Sequence, residues 1–200
     1  MEIFTDPQGY ANWYRVHERI YDSEKKLVSI FKPRNCLDVG SGPGIFHEVF
    51  EGSTVSLDLS IFMLKSIQGE DRVLADAMNL PFRDNAFECV FTSVTVCFVS
   101  DYKQFIKELK RVTKKRIIVC YVPRDSPFGE YYEELGKKGH KYYSHAHFVS
   151  KKELYDALSS EGLKVVKTLS TLFYKPTDEE KVDEIKEGDS GSFVCVEAVK

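Results

Sequence analysis

Short apolar runs alternate with longer amphipathic stretches along most of the chain. Five of these runs have the length and β-branched content of buried strands. They cover residues 35–39, 54–59, 72–75, 88–93 and 116–122. Two further runs, LKVVKTLSTLF and SFVCVEAVK, lie near the end and are joined by an acidic segment and the turn GDSG. We expect this last pair to be antiparallel at one end of a sheet.

The stretches between the runs have the spacing of helices. Helices are predicted over residues 23–31, 60–67, 102–112 and 150–162. Ser60, Asp101 and Ser150 are the expected N-caps, and Glu153 completes a capping box with Ser150. The segment IFHEVF, directly after a run of glycines, is expected to open a further helix.

This alternation predicts an α/β fold with a doubly wound, mostly parallel sheet of seven strands. The C-terminal strand is expected to be antiparallel, with helices on both faces of the sheet. Two hundred residues suit a single domain, 1–200, in which 1–32 form a helical lead-in. Segment 124–148 breaks the alternation after the C-terminal end of a strand, where ligands bind in open α/β sheets. We therefore predict that it is an insertion or lid over a substrate site.

Composition narrows the functional classes. The formal net charge is −3 at pH 7, so no broad basic field exists and nucleic acid is an unlikely partner. The start, MEIFTDPQGY, lacks the order of a signal peptide. The most apolar run, CVFTSVTVCFV, is too short to span a bilayer. We expect a cytoplasmic protein, and the scarcity of Gln and Asn beside many Lys and Glu suggests a thermophile.

The five cysteines are odd in number, widely spaced and placed in apolar, strand-like runs. They are Cys36, Cys89, Cys97, Cys120 and Cys195. This pattern predicts small buried hydrophobic residues rather than a disulfide framework or a zinc site.

The strongest chemical signal is the stretch CLDVGSGPG. The bare backbone at Gly40, Gly42 and Gly44 lets a ligand reach main-chain N–H groups, and a following helix N-terminus would favour an anionic group. Asp58, at the end of the second apolar run, can accept two hydrogen bonds from a ribose diol. The glycine loop and Asp58 together predict a nucleoside-containing cofactor, although glycine-rich turns also occur without ligands. The dinucleotide pattern GxGxxG is not met, because its sixth position is Ile45.

LDVGSGPG resembles the first motif of class I S-adenosylmethionine-dependent methyltransferases. VSLDLSIFML, LADAMNLPFRDNAFECV and FTSVTVCFVSDYKQFIKELKRV resemble later segments of that family in order and spacing. YANWY, followed by a glutamate-bearing helix, resembles the lead-in of its small-molecule members. The resemblance covers residues 10 to about 122. It implies a Rossmann-like fold, S-adenosyl-L-methionine as cofactor and S-adenosyl-L-homocysteine as product.

The resemblance also implies roles on the methionine side of the cofactor. Gly40, Ser41 and Gly42 would lie against the methionine part. Asp38 would order the loop or meet the amino group through water, and Ser93 would offer its carbonyl oxygen to the ammonium.

On the adenosine side, the resemblance implies that Asp58 holds the ribose hydroxyls. Leu59 and Met63 would pack on the adenine, and Asp76 would accept from its amino group. The N–H of Ala77 or Met78 would read the ring. Two aromatic residues would close over the cofactor, namely Tyr10 and Tyr14.

The methyl acceptor is expected to be a small molecule, with transfer by in-line displacement that depends mainly on positioning. A base is needed only for a protonated acceptor, and the candidate catalytic residues are His145, His147 and Tyr14. HAH lacks a third metal ligand, so no metal is expected. The tyrosines of segment 124–148 would bind a cationic amine through cation–π contacts or stack on a flat ring. The alternative is that they belong to a surface helix. His17 and His47 are expected on helix surfaces.

Other functions stay open at this point. Protein or tRNA methylation is the alternative within the same chemistry. An NAD-linked reductase would need a hydride-relay Tyr/Lys pair, and a non-catalytic cofactor-binding module would need only the loop.

Overall fold

A computed structural model describes residues 3–69 and 71–200. In the described part of the chain, eight strands form one sheet in the order β3-β2-β1-β4-β5-β8-β6-β7. The strands are β1 Cys36–Val39, β2 Val55–Asp58, β3 Asp71–Leu74, β4 Phe87–Ser93, β5 Thr113–Tyr121, β6 Lys164–Thr171, β7 Lys186–Glu187 and β8 Phe193–Val199. The helices are α1 Pro7–Val16, α2 Glu18–Ile30, α3 Ile61–Ser66, α4 Tyr102–Val112, α5 Pro127–Lys137 and α6 Lys151–Ser160.

The first five strands are parallel, and β8 is antiparallel to both of its neighbours. Val196 of β8 pairs with Val119 of β5 on one side and with Thr168 of β6 on the other. The predicted antiparallel pair at one end of the sheet is therefore confirmed. The predicted count of seven strands is wrong, because two residues of the acidic segment, Lys186 and Glu187, form β7 against β6. A strand of two residues carries no alternation that a sequence pattern could show.

The strand order reverses between β1 and β4, because the chain runs from β1 outward to β2 and β3 on one side and then places β4 and β5 on the other side. Chain connections from β1 and β4 leave toward opposite sides at this point, so a crevice opens beyond their carboxyl ends. The glycine loop follows β1 directly and therefore lies at the mouth of that crevice.

Three helices begin where the sequence predicts. Ser60 accepts from the N–H of Met63, Asp101 accepts from two N–H groups of α4, and Ser150 forms the capping box with Glu153. The lead-in contains two helices, and α2 begins at Glu18, five residues before the predicted start.

The helix predicted directly after the glycines is absent. Residues 42–46 form successive turns, followed by one 3₁₀ turn over His47–Val49. The N–H of His47 donates to Gly44, and the Ile45 carbonyl accepts from the Tyr21 hydroxyl of α2. These contacts hold the chain in tight turns, so a helix dipole does not contribute to the loop.

The core has two layers because successive strand side chains point to opposite faces. Ile117 and Val119 of β5 belong to a cluster with α4 and α6. Ile118 and Cys120 belong to a second cluster with α2 and α5. Helices therefore cover both faces, as the alternation predicts.

Four cysteines form disulfides, which corrects the sequence-based expectation. Cys36 of β1 is bonded to Cys89 of β4, and Cys120 of β5 to Cys195 of β8. Each pair is a direct register partner across neighbouring strands. Sequence separations of 53 and 75 residues hide this pairing. Cys97 is buried and free, as expected.

No helix of the described residues is long and apolar enough to cross a membrane.

Replacing Cys120 and Cys195 together by alanine should lower the free energy of unfolding by about 2–4 kcal/mol, because the open chain gains entropy when this long loop is released. Denaturant titration of the variant and the parent measures the difference. The Cys97→Ala variant is the control for losing a buried sulfur without losing a crosslink. Thiol titration of the denatured, unreduced protein should find one reactive thiol. Five thiols would overturn the pairing.

Candidate functional site

All three glycines of the loop, Gly40, Gly42 and Gly44, adopt left-handed backbone conformations. Gly40 has a φ of +72° and Gly42 a φ of +53°, a region that other residues enter only with strain. A Cβ on Gly40 would lie 2.2 Å from Thr95 Oγ1, whereas a Cβ on Gly42 would meet only Tyr10 at 3.9 Å. Gly40 is therefore packed against the β4 side, and Gly42 faces open space.

Asp58 fixes the loop from the end of β2. Its Oδ2 accepts from the N–H of Gly42 at 2.8 Å, and its Oδ1 accepts from the N–H of Ser60 at 2.8 Å. Burial raises the pKa of the Asp58 carboxyl, while these two N–H groups oppose the rise. Each carboxylate oxygen has a second lone pair, so the group can still accept from a ligand.

A cavity of about 200 Å³, which we call the large cavity, opens beside this loop. It is lined by most of the residues that are predicted to bind the cofactor. Those residues are Tyr10, Gly40, Gly42, Asp58, Leu59, Met63, Asp76, Ala77, Met78 and Ser93. Within the described residues, the buried Ser93 Oγ has no hydrogen-bond partner. Buried polar groups are nearly always hydrogen-bonded, and a ligand in the adjacent cavity would supply the missing partner.

The remaining predicted residues, Asp38, Ser41 and Tyr14, line a smaller cavity next to it, the loop cavity. Both cavities share Gly40, Gly42, Ser93 and Tyr10. The structure therefore brings all the residues predicted for the cofactor to one continuous region at the switch point.

Asp38 orders the turns after the loop through His47. Asp38 Oδ2 lies 2.8 Å from His47 Nε2, with both side chains largely buried. The expected place of His47 on a helix surface is wrong, since the residue is in a turn and pairs with this carboxylate. The other lone histidine, His17, lies between α1 and α2 and contacts Glu180.

The adenine-side segment after β3 differs in one detail from the predicted arrangement. Asp76 is exposed, and its Oδ1 accepts from the N–H of Met78 at 2.9 Å. Because the Met78 N–H already donates to Asp76, the N–H of Ala77 is the remaining candidate to donate a hydrogen bond to the adenine ring.

Two tyrosines of α1 lie one helical turn apart and face the sheet. Tyr10 lines the large cavity, the loop cavity and a third one, and Tyr14 lines the last two. Burial raises the pKa of Tyr10 to about 12 and that of Tyr14 well above its ordinary value. Both phenols therefore keep their proton at neutral pH, which favours a role as cavity wall or hydrogen-bond donor over a role as general base.

The third cavity, which we call the aromatic cavity, lies under α1, α2 and the segment predicted as a lid. Segment 124–148 contributes Tyr132, His140, Tyr142, Tyr143 and Phe148 to it. The lead-in contributes Tyr10, Trp13, Tyr14 and Glu24. His145 and His147 are exposed and line none of the three cavities. Burial lowers the pKa of His140, which favours its neutral form.

Several residues that line the cavities are not among those predicted from the sequence. Phe4 packs on Phe98 and stacks on Tyr142, with ring centres 5.0 and 5.5 Å apart, and no local pattern indicates this. Glu24 had a signal, because it lies on the buried stripe of α2 between Ile20 and Leu27. An acidic residue on the apolar face of an amphipathic helix indicates a special environment.

No group of three or more His, Cys, Asp or Glu side chains that could hold a metal occurs in residues 3–69 and 71–200.

Comparisons with known proteins agree on one family. A family described as "Methyltransferase domain" matches residues 37–120. An uncharacterized protein of Methanocaldococcus jannaschii is 34% identical over 100% of both chains. A Thermotoga maritima crystal structure, described as a SAM-dependent methyltransferase and possible histamine N-methyltransferase, has a TM-score of 0.89 and 30% identity, covering 99% of this chain and 98% of that one.

Two further proteins, whose descriptions name other acceptors, are less similar to this chain in sequence coverage or in identity. A demethylmenaquinone methyltransferase of Corynebacterium urealyticum is 35% identical, over 54% of this chain and 56% of its own. The magnesium protoporphyrin IX methyltransferase of Synechocystis PCC 6803 with bound SAH has a TM-score of 0.66 and 14% identity, covering 96% of this chain and 94% of that one. The latter likeness shows the fold.

Gly40→Ala should destabilise the protein more than Gly42→Ala. Both variants pay about 1–2 kcal/mol for a left-handed alanine, but only the Cβ on Gly40 also collides with Thr95, which adds about 1–3 kcal/mol. Denaturant titration measures both losses. Adding Thr95→Ala to Gly40→Ala should recover part of the loss. Equal losses in the two glycine variants would contradict this account.

Proposed function

Because this chain belongs to the class I S-adenosylmethionine-dependent methyltransferases, we propose that it methylates a small-molecule acceptor by in-line displacement. The observation that carries this proposal is the meeting of three cavities at Tyr10. Two of them contain the residues predicted for the cofactor, and the third is compact and aromatic.

The residues around the first two cavities fit the cofactor. The open side of Gly42 would accommodate a ligand that a Cβ would crowd, and Ser93, whose Oγ has no partner within the described residues, lines the same cavity. When bound, S-adenosylmethionine supplies an electrophilic methyl group on a positively charged sulfur. The carboxylates of Asp38 and Asp58 give this region a negative potential that suits a cationic ligand.

We assign the adenosine part to the large cavity. Asp58 would accept from the ribose hydroxyls while it keeps its bonds to the loop. Leu59 and Met63 would lie against the adenine, with Asp76 and the N–H of Ala77 at its polar edge. Ser93 and the glycine loop would hold the methionine part.

The chain's contribution to rate is chiefly positioning. In-line transfer needs the nucleophile and the methyl carbon aligned at near contact, and such alignment is worth about 7–11 kcal/mol. Tyr10 and Tyr14, which lie between the aromatic cavity and the loop, would hold that alignment and exclude water. His145 and His147 have no role in this proposal, because they lie outside the cavities.

A small acceptor is supported by the size of the aromatic cavity, about 60 Å³. One water needs about 10–15 Å³ by this measure, so the space suits a few waters or a compact group. Protein or tRNA methylation is not favoured by the acidic net charge. The names of the relatives give different acceptors, so they do not decide this question.

Titration calorimetry with S-adenosylmethionine, S-adenosylhomocysteine and NADH tests the cofactor. Binding of the first two without NADH is expected. Transfer of a labelled methyl group into a cell extract, fractionated into metabolites, protein and RNA, tests the acceptor. Label in the metabolite fraction is expected, whereas label only in protein or RNA would replace the small-molecule proposal.

Asp58→Ala should weaken cofactor affinity by about 1–3 kcal/mol, or about 5- to 150-fold in Kd, because charge-assisted hydrogen bonds are lost. Calorimetry with S-adenosylhomocysteine measures the change. Asp71→Ala, an exposed aspartate on the neighbouring β3, is the matched control and should bind normally. Unchanged affinity in Asp58→Ala would remove this residue from the ribose role.

A further inference from the structure

One carboxyl group in the aromatic cavity has no evident structural purpose. Glu24 of α2 is 5% exposed, and within the described residues its Oε2 has no hydrogen-bond partner. Buried polar groups in folded proteins are nearly always hydrogen-bonded. Burial raises the pKa of Glu24 to about 8. An unpartnered carboxyl on a cavity wall therefore indicates that a ligand supplies the missing partner.

The surroundings of Glu24 favour a cation. Aromatic rings form most of the wall, and Tyr132 stacks on Tyr143 with ring centres 4.3 Å apart. The faces of such rings attract positive charge. No lysine or arginine lines the cavity in the described part of the chain, and its one imidazole, His140, is favoured in the neutral form. The cavity thus offers a carboxyl and ring faces; the nearest cation–ring contact among the described residues is that of the Lys141 ammonium, which lies 5.1 Å from the centre of the Tyr142 ring without itself lining the cavity.

We propose that the aromatic cavity binds the methyl acceptor as a small primary or secondary amine, whose ammonium group pairs with Glu24 before transfer. This inference rests on the proposed function and names its substrate class. Tyr10, Val94 and Phe98 line both the aromatic and the large cavities, so an amine anchored on Glu24 lies next to the cofactor region.

Besides pairing with the ammonium group, Glu24 also accepts a proton from it. An ammonium has no lone pair, so it first gives one proton to the Glu24 carboxylate and becomes a neutral amine. The nitrogen lone pair then forms the new N–CH₃ bond, and the electron pair of the broken C–S bond stays on sulfur. The product leaves as the methylated ammonium, and Glu24 returns its proton to water. A carboxyl with a pKa near the working pH suits this exchange.

The other titratable groups around Glu24 do not compete in this pH range. They come from α1 (Tyr10, Tyr14), α5 (Tyr132), the turn after α5 (Tyr143), the segment after β4 (Cys97) and the segment after β6 (Tyr174). Burial raises the pKa of every one of these groups, so all of them stay neutral. Between pH 6 and 8, Glu24 and His140 are the groups in the cavity wall that can change charge.

The test is calorimetric binding of benzylamine to the full protein saturated with S-adenosylhomocysteine. Benzyl alcohol is the neutral isostere, and methylammonium is a cation small enough for any shape of site. We expect benzylamine to bind at least tenfold more tightly than benzyl alcohol at pH 8. Its affinity should rise by up to about tenfold per unit between pH 6 and 7.5, because each bound cation releases one proton from Glu24.

The variant Glu24→Gln keeps the shape of the side chain and removes its charge. It should lose at least tenfold in benzylamine affinity and lose the pH dependence, while its affinity for S-adenosylhomocysteine stays within twofold. Glu18→Gln, an exposed glutamate on the same helix, should bind like the parent protein.

The outcomes separate this inference from the proposed function. Failure of both cations to bind, equal binding of amine and alcohol, or undiminished amine affinity in Glu24→Gln would each overturn the assignment of Glu24. Absence of S-adenosylhomocysteine binding to the parent protein would instead overturn the proposed function.

Discussion

The bond between Asp58 and the N–H of Gly42 is the contact on which the site depends. It joins the end of β2 to a loop whose backbone is held in a left-handed conformation. The same carboxylate also accepts from the N–H of Ser60, which caps α3. One side chain therefore fixes the loop, the strand end and the helix start together. The loop lies at the point where the strand order reverses. The hydrogen bonds of Asp58 therefore also fix the shape of the crevice that opens there.

The N-terminal helices α1 and α2 form the outer wall of the crevice that the sheet leaves open. A switch point provides a crevice, but its outer wall must come from elsewhere in the chain. Here α1 supplies Tyr10 and Tyr14, and α2 supplies Glu24. Tyr10 lies on all three cavities, so the lead-in both covers the cofactor region and shapes the space next to it. In the function that we propose, the binding of the methyl donor and the recognition of the acceptor therefore depend on different parts of the fold.

How well the sequence predicts this structure depends on the range of each interaction. Strand and helix positions follow from local periodicity, and caps such as Ser150 follow from neighbouring residues, so these were predicted well. The Cys120–Cys195 disulfide and the β7 strand depend on which strands become neighbours, and no local pattern contains that information. The missing helix after the glycines has the same cause, because a hydroxyl from α2 holds the Ile45 carbonyl.

The candidate site shows the same division. Gly40, Gly42 and Asp58 belong to one local motif and were predicted to lie together. The exposed positions of His145 and His147 could not be predicted, since they depend on how the chain folds after α5. Glu24 is intermediate: its place on an apolar stripe was visible in the sequence, but only the packed tyrosines around it make its environment evident.

A buried carboxyl such as Glu24 also makes stability depend on pH. Its pKa in the folded protein, about 8, lies above the ordinary glutamate value of about 4.3, so the folded state binds more protons than the unfolded state. Its contribution to stability is fully present below about pH 4 and is lost as the pH rises toward 8 and beyond, a cost on the order of a few kcal/mol. A cation paired with the carboxylate would offset this cost at neutral and higher pH. In our proposal, the fold therefore keeps a carboxyl that destabilises it at neutral and higher pH, the same range in which a bound amine would offset that loss of stability.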